Sequence, residues 1–307
     1  MTILAVNHVT TYAYSKPVGL GDHRMMLRPR EGYDLRLLRS TLDIDPAPQR
    51  LRWVHEVFDN CVALASFVGA TQRLRVESDL TLDHTPLGGP DVLLEDHARF
   101  YPFSCDADEM PDIARAVERS HPDTSGELDR WARRFVHQGR PTETGALLMT
   151  LTYAIKEGFS YERRIEMGAQ SPLQTLDRRR GSCRDFAVLM MEAARALGLA
   201  ARFVSGYLYV PDRDTGERRL GGGSTHAWCQ IYLPGAGWVE FDPTNGIVGN
   251  RGLIRVAEGR DARQAVPLSG TFFGSAADHE KMTVSVTVRQ LSGAEPFSTT
   301  HVRQGAA

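Results

Sequence analysis

Apolar residues follow two different spacings along the chain. Over the first 90 residues, apolar and small side chains recur at every second position, at Leu38, Ser40, Leu42 and Ile44 and again at Leu74, Val76, Ser78, Leu80 and Leu82. Successive side chains of a strand point to opposite faces, so these runs predict antiparallel strands with one wet face. Asp59-Asn60 lies between the apolar runs Trp53–Phe58 and Cys61–Val68 and predicts a hairpin turn. Several such strands at short spacing point to a small β-sandwich-like domain. Thr85-Pro-Leu-Gly-Gly-Pro90 interrupts the pattern and marks a boundary, giving a β-rich domain over 1–90 and a second domain over 91–307.

Beyond the break the spacing becomes helical. Ile113 and Val117, then Leu128, Trp131, Ala132 and Phe135, predict short amphipathic helices. Leu147, Leu148, Leu151, Ala154 and Ile155 predict a longer one, from near Thr142 to before Gly158. Gly181-Ser-Cys-Arg-Asp185 precedes the apolar run Phe186–Leu197. Ser182 and Asp185 form a capping-box pattern, which makes Cys183 the first helical residue and Gly198 the stop. Ala201–Val210, Thr225–Leu233 and Trp238–Asp242 read as strands, with a Gly-rich loop over Pro211–Ser224. Met282–Leu291, alternating at Val284, Val286 and Val288, reads as a last strand and is grouped with the second domain. The second domain is therefore α+β.

The length of 307 residues fits two domains. Lys+Arg number 36 against 38 Asp+Glu, so the basic excess of a nucleic-acid binder is missing. No stretch reaches the roughly 18 apolar residues of a membrane span, and the N-terminus lacks a basic segment followed by an apolar block. The four cysteines, Cys61, Cys105, Cys183 and Cys229, contain no CxxC pair. Reduced thiols in a cytoplasmic setting, with neither membrane nor nucleic-acid partners, are the expectation.

At the first turn of a helix, Cys183 meets unpaired backbone N–H groups and the positive end of the helix dipole, both of which favour a thiolate. Acyl-transfer chemistry also needs a base and an acid for the leaving amine, and a third group to fix the base's tautomer. His226, opening a strand after the Gly-rich loop, is the candidate base. Asp242, ending the following strand, is the candidate third group. A hairpin centred on Pro234 sets residues 226 and 242 opposite each other on one face. One centred between Gly235 and Ala236 pairs 242 with 229 and leaves His226 about 10 Å away along the strand. The sequence admits both. Each residue also has a plain structural reading: a helix-start cysteine, a satisfied core histidine, and a turn at Asp242-Pro-Thr-Asn-Gly246.

Four blocks resemble the bacterial transglutaminase-like family: Gly181-Ser-Cys-Arg-Asp-Phe-Ala187, Arg195-Ala-Leu-Gly-Leu-Ala-Ala-Arg-Phe-Val-Ser-Gly-Tyr207, Thr225-His-Ala-Trp228 and Gly237-Trp-Val-Glu-Phe-Asp-Pro-Thr-Asn245. The resemblance is dense over 155–246. Residues 1–90 more loosely resemble the β-rich domain that precedes this core in bacterial members. It implies a papain-like core, with a nucleophile helix packed on an antiparallel sheet and a Cys183, His226, Asp242 triad. It also implies thiol acyl transfer on peptide or carboxamide bonds through a thioester, with water (protease or amidase) favoured over an amine (transglutaminase) as acceptor. No metal or organic cofactor is implied. The backbone N–H of Cys183 is a natural oxyanion donor, with Tyr161 or Gln174 as a second, and Trp228 shares the face of His226 and could shield the site. Three rivals stand beside this reading. A zinc site from Cys183, His226 and Cys229 suffers from the odd spacing of 226 and 229, which puts them on opposite faces. The others are a non-catalytic binding module keeping the fold and an acyltransferase of the arylamine acetyltransferase type.

Overall fold

A 24-residue strand, β1 (Thr2–Met25), organises the first part of the chain. The computed structural model describes residues 2–86, 93–164, 166–210, 220 and 223–291. The Pro/Gly-rich boundary at 85–90 and much of the loop at 211–224 fall largely outside these residues. After β1 come β2 (Leu35–Asp45), β3 (Arg50–His55), β4 (Cys61–Ser66) and β5 (Ala70–His84). β1 pairs antiparallel with β5, β5 pairs with β2, and the last residues of β1 pair with β4, which carries β3. Register shifts between Ala13 and Val18, and between Leu20 and His23, interrupt the ladders of β1. Shifts of this kind bend a strand. The sheet curls over an apolar cluster that includes Tyr14, Val18, Met25, Ile44, Leu74 and Val76. The two-residue alternation is visible in β5, where Leu74, Val76, Ser78, Leu80 and Leu82 are all buried. Asp59-Asn60 turns the β3–β4 hairpin, with Asp59 at φ 62°. Asn60 also imitates a strand neighbour: its Oδ1 accepts from the Glu258 N–H at 2.9 Å and its Nδ2 donates to the Glu258 carbonyl at 2.6 Å.

The second part carries five helices: α1 (Met110–Val117), α2 (Glu127–Arg133), α3 (Thr144–Gly158), α4 (Pro172–Arg178) and α5 (Cys183–Ala196). Two short ladders accompany them, β6 (Phe100–Tyr101) with β7 (Thr142–Glu143), and β8 (Ser160–Tyr161) parallel to β9 (Arg180–Gly181). The main sheet is built from β10 (Ala201–Leu208), β11 (His226–Leu233), β12 (Gly237–Asp242), β13 (Ile247–Val248) and β14 (Leu253–Gly259), in the order β13-β12-β11-β10-β14. Alternate residues of β11, Ala227, Cys229, Ile231 and Leu233, share one core with Phe186, Leu189, Met190 and Ala193 of α5. α5 is buried almost all round, as expected of a helix covered on every side. That burial includes a charged pair. Glu192 bonds Arg195 at 2.7 Å and Arg119 at 3.0 Å, and accepts from the Ser120 and His121 N–H groups. A charge removed from water needs such partners. No helix among the described residues is long and apolar enough to cross a membrane.

The end of the chain departs from expectation. β15 (Leu268–Phe273) and β16 (His279–Gln290) hydrogen-bond to β1, so the last strand lies in the N-terminal sheet and not within the second domain's sheet. The cross-strand pairs explain this placement. Val6 faces Val288, His8 faces Val286 and Thr10 faces Val284, which sets the alternating valines of β16 on the buried side of β1. Leu4, Val6, Leu80, Leu82 and Val286 then pack with Tyr207, Ile254 and Val256, joining the two sheets through one apolar cluster. His8 is buried in this joint, with Nδ1 3.0 Å from the Tyr207 hydroxyl, and burial lowers its pKa to about 4.

Candidate active site

α5 begins at Cys183 for a local reason. The Asp185 Oδ2 accepts from the Ser182 N–H at 2.7 Å and from the Ser182 hydroxyl at 2.9 Å. Its Oδ1 accepts from the Gln170 N–H at 2.6 Å and from Arg164 at 2.7 Å. Burial opposes the charge on Asp185, but these donors outweigh it and its pKa is lowered. The carboxylate is therefore spent on the helix start. Cys183 stands at the first position, where backbone N–H groups lack helical partners. The pairing of Tyr161 with Gly181 in the β8–β9 ladder brings Tyr161 to the same end of the helix.

The β11–β12 register lies between the two that the sequence admits. Cys229 pairs with Phe241 and Leu233 with Gly237, so the hairpin centres on Gly235, with Gly235 and Gly237 at positive φ of 87° and 71°. Continued by one residue, this register sets Asp242 across from Trp228 and diagonal to His226, on the same face. Diagonal residues in an antiparallel pair are within reach of long side chains. The His226 Nε2 lies 2.8 Å from the Asp242 Oδ2, with both side chains fully buried.

The turn after β12 holds the carboxylate. Asp242 Oδ1 accepts from the Thr244 and Asn245 N–H groups at 2.9 and 3.3 Å. The Asn245 side chain donates to Asp242 Oδ2 at 2.8 Å, and its amide is itself fixed by the backbone of Leu220. Asn245 is the functional candidate that sequence reading leaves inside a turn. Its signal is Asp-Pro-Thr-Asn, in which the Asp side chain bonds the backbone two residues on, an Asx turn. Burial works against charge on Asp242, but His226 and these donors prevail and its pKa is lowered. Burial likewise opposes charge on His226. Asp242 and Cys183 overcome it, and the His226 pKa is raised to about 10. With Nε2 taken by Asp242, Nδ1 is left buried and without a hydrogen bond of normal geometry. It is the nitrogen available to Cys183.

Trp228 is wholly buried among Val204, Leu208 and Leu253, with its ring tilted 31° to the His226 ring at a centroid distance of 6.0 Å. It backs the imidazole and does not line the cleft. Gly206, paired with His226, leaves room for it. A Cβ there would lie 2.1 Å from the Ile254 carbonyl oxygen and 2.8 Å from the Trp228 ring.

Cys183, His226 and Tyr161 open onto one cleft together with Ser182, Phe203 and Ser205. Burial, and then the charge at Cys183, push the Tyr161 hydroxyl up to about 12, so it keeps its proton at neutral pH. Gln174 is not brought to this cleft. It lies exposed on α4, where its side chain accepts from the Ser171 N–H at 3.1 Å and its own N–H bonds the Ser171 hydroxyl at 3.2 Å. A capping box claims the amide that sequence reading offers to an oxyanion. Cys229 faces α5, away from His226, with its sulfur 3.6 Å from the Phe241 carbonyl and its pKa pushed up by burial.

Comparison with known proteins adds to this geometry. The family model for the core of the transglutaminase-like superfamily matches residues 129–243, and that for the bacterial transglutaminase-like N-terminal region matches residues 4–83. An uncharacterized protein of Mycobacterium tuberculosis is 28% identical over 298 residues, covering 94% of this chain and 93% of its own. One from Mycobacterium leprae is 38% identical over 117 residues, 38% of this chain and 41% of that protein. The crystal structure of a candidate cysteine protease from Cytophaga hutchinsonii superimposes with a TM-score of 0.70. It covers 95% of this chain and 92% of its own at 21% identity, a likeness of fold.

Proposed function

Because the chain belongs to the transglutaminase-like superfamily, we propose that it is a thiol-dependent acyl-transfer enzyme, acting on peptide or carboxamide bonds with water as the usual acceptor. The observation that carries this reading is the buried His226–Asp242 bond of 2.8 Å, which leaves Nδ1 free in a cleft shared with Cys183 at a helix start. The favoured hydrolytic outcome draws support from the shared fold with the Cytophaga hutchinsonii protein described as a candidate cysteine protease.

The steps follow from the residues. The raised basicity of His226 favours placing the Cys183 proton on Nδ1. The sulfur attacks the carbonyl carbon, the C=O pair moves to oxygen, and the oxyanion is met by the Cys183 N–H, with the protonated Tyr161 hydroxyl as a second donor. When the C–N bond breaks, the imidazolium gives its proton to the departing amine and a thioester remains. Water, losing a proton to His226, then attacks the thioester and expels the sulfur. Asp242 holds the tautomer and offsets the imidazolium charge throughout. Each step uses only the protein's own groups, the substrate and water. The four free cysteines support a reducing, cytoplasmic setting.

The test is amine release from amide and peptide substrates by wild type, Cys183→Ala and His226→Ala, with and without an added primary amine. Loss of turnover in both variants, with product acids formed in wild type, is the expected result. Amine incorporation in place of acid assigns the cross-linking reaction. Full activity in Cys183→Ala ends the proposal, and a wild type that neither cleaves nor labels at Cys183 favours a binding module.

A further inference from the structure

The cleft in front of Cys183 is electrostatically one-sided. Among the described residues, three guanidinium groups, those of Arg163, Arg164 and Arg184, line it, and no carboxylate does. Arg164 is committed, at 2.7 Å from Asp185 and 3.4 Å from Glu166. Arg184 adjoins the nucleophile, half-buried, and among the described residues its one hydrogen bond is a long contact of 3.4 Å to the Glu166 carbonyl. Arg163 is exposed on the cleft wall and has no ion-pair or hydrogen-bond partner among the described residues. Some other exposed arginines sit beside acids, as Arg30 does with Asp59, Arg73 with Asp45 and Arg133 with Asp129. What sets Arg163 and Arg184 apart is their place, both on the wall of the cleft that holds Cys183.

Another part of the wall is apolar. Val266 and Pro267, just before β15, and Met282 and Val284 of β16 all face the cleft. Val266 is 37% exposed and Met282 50%. Their apolar surface is open to whatever enters, and a concave site with such a wall and a few placed charges is the usual form of a ligand site.

From these two features, and resting on the acyl-transfer reading above, we infer that the substrate is an acidic amide: a peptide bearing a carboxylate next to the bond attacked, held by Arg163 and Arg184, with an apolar side chain lying on Val266, Met282 and Val284. Guanidinium matches a carboxylate in shape as well as charge and binds it through paired N–H groups. Inside a part-buried cleft that preference is weakly screened by salt compared with an open surface. The carboxylate can come from an acidic side chain or from a free chain terminus, and the two share this chemistry.

The test begins with the thiol itself. Cys183 is labelled with iodoacetate and with iodoacetamide, reagents of similar size that differ in a carboxylate, and rates are read by peptide mass spectrometry in wild type, Arg163→Gln, Arg184→Gln and the double variant. Cys105 serves as internal reference. The iodoacetate-to-iodoacetamide ratio at Cys183 should fall about threefold to tenfold in each single variant, and lose its salt dependence in the double variant. Continued labelling by iodoacetamide reports that the variants are folded. An unchanged ratio with both reagents reacting overturns the acidic-substrate inference alone. A Cys183 inert to both in the wild type overturns the acyl-transfer reading and this inference with it. A peptide set varying only the residue beside the attacked bond, as Glu, Gln or Lys, each with a free or an amidated C-terminus, then locates the carboxylate. About tenfold higher kcat/KM for Glu assigns a side-chain acid, the same gain for free termini assigns a terminal one, and a preference for Lys overturns the inference.

Discussion

His226 and Asp242 are diagonal neighbours on adjacent strands, and their side chains close that diagonal to 2.8 Å. Directly across from Asp242 lies Trp228, whose ring sits behind the imidazole. A register one residue different in either direction would put the carboxylate on the other face of β12 relative to His226. The His226–Asp242 geometry therefore depends on Gly235 and Gly237, whose positive φ angles set the length of the turn.

Removing the orienting groups should cost activity in graded steps. Asp242→Asn keeps the shape but not the charge, and a loss of about 10³–10⁴ in kcat is expected from the wrong tautomer. Asn245→Ala removes one hydrogen bond to a charged partner, so kcat should fall about tenfold to a hundredfold with KM nearly unchanged. Steady-state kinetics on an amide substrate decide this. An Asn245→Ala enzyme with wild-type kcat would remove Asn245 from the site.

Gly206→Ala should disarm the enzyme from a distance. The added Cβ would lie 2.1 Å from the Ile254 carbonyl oxygen and 2.8 Å from the Trp228 ring, so β10 and β14 must part and Trp228 must shift as well. Overpacking of this kind costs about 1–3 kcal/mol, and more where backbone is the obstacle. The expected outcome is a lower urea midpoint together with slower iodoacetamide labelling of Cys183. A variant matching wild type in both would show that the joint yields freely.

Glu192→Ala leaves Arg195 charged and buried without its partner, and should destabilise by about 3–5 kcal/mol. Replacing the pair together, as Glu192→Leu with Arg195→Met, should cost less than the single change, because the fully buried guanidinium of Arg195 is removed along with its partner. Chemical denaturation of the three proteins measures this. A double variant less stable than Glu192→Ala would mean that the pair's bonds to the 119–121 segment dominate.

Two histidines should shape stability on opposite sides of neutrality. His226 is raised to about 10 when folded, against roughly 6.5 in an unfolded chain. Its contribution is full below about pH 6.5 and is lost as pH climbs through about 10, because the folded state holds a proton the unfolded state has released. His8 is lowered to about 4 when folded, so the unfolded state gains a proton first and stability drops as pH falls from about 6.5 toward 4. Urea midpoints between pH 4 and 10 should show a flatter acid limb in His8→Gln and a flatter alkaline limb in His226→Gln. Profiles parallel to wild type would refute the corresponding assignment.

The legibility of this protein in its sequence follows physical range. Cys183 at a helix start is readable because the capping pattern from Ser182 to Asp185 is local, and the structure retains it. The antiparallel strands of the first region are readable because a two-residue period needs no knowledge of the partner. The His226–Asp242 distance is not, since Pro234-Gly-Ala-Gly237 tolerates more than one turn and the observed centre falls between the two considered. Gln174 misleads because a competing local bond to Ser171 lies only three residues away. The valines of β16 announce a face, but a period does not say which sheet that face will meet, and β1 is nearly the full chain length distant.

That last pairing sets an order in time. The ribosome releases Cys183 and His226 before it releases Met282, yet Met282 and Val284 form part of the cleft wall, and the Val286 N–H bonds the Gly223 carbonyl just ahead of His226. Contacts between distant parts of a chain form late in folding, and here β16 is also synthesised after the segments that carry Cys183 and His226. A newly made molecule thus carries the Cys183 thiol well before it carries a finished cleft. Arrival of β16, more than folding of the helix that bears the thiol, is the event that finishes the cleft wall.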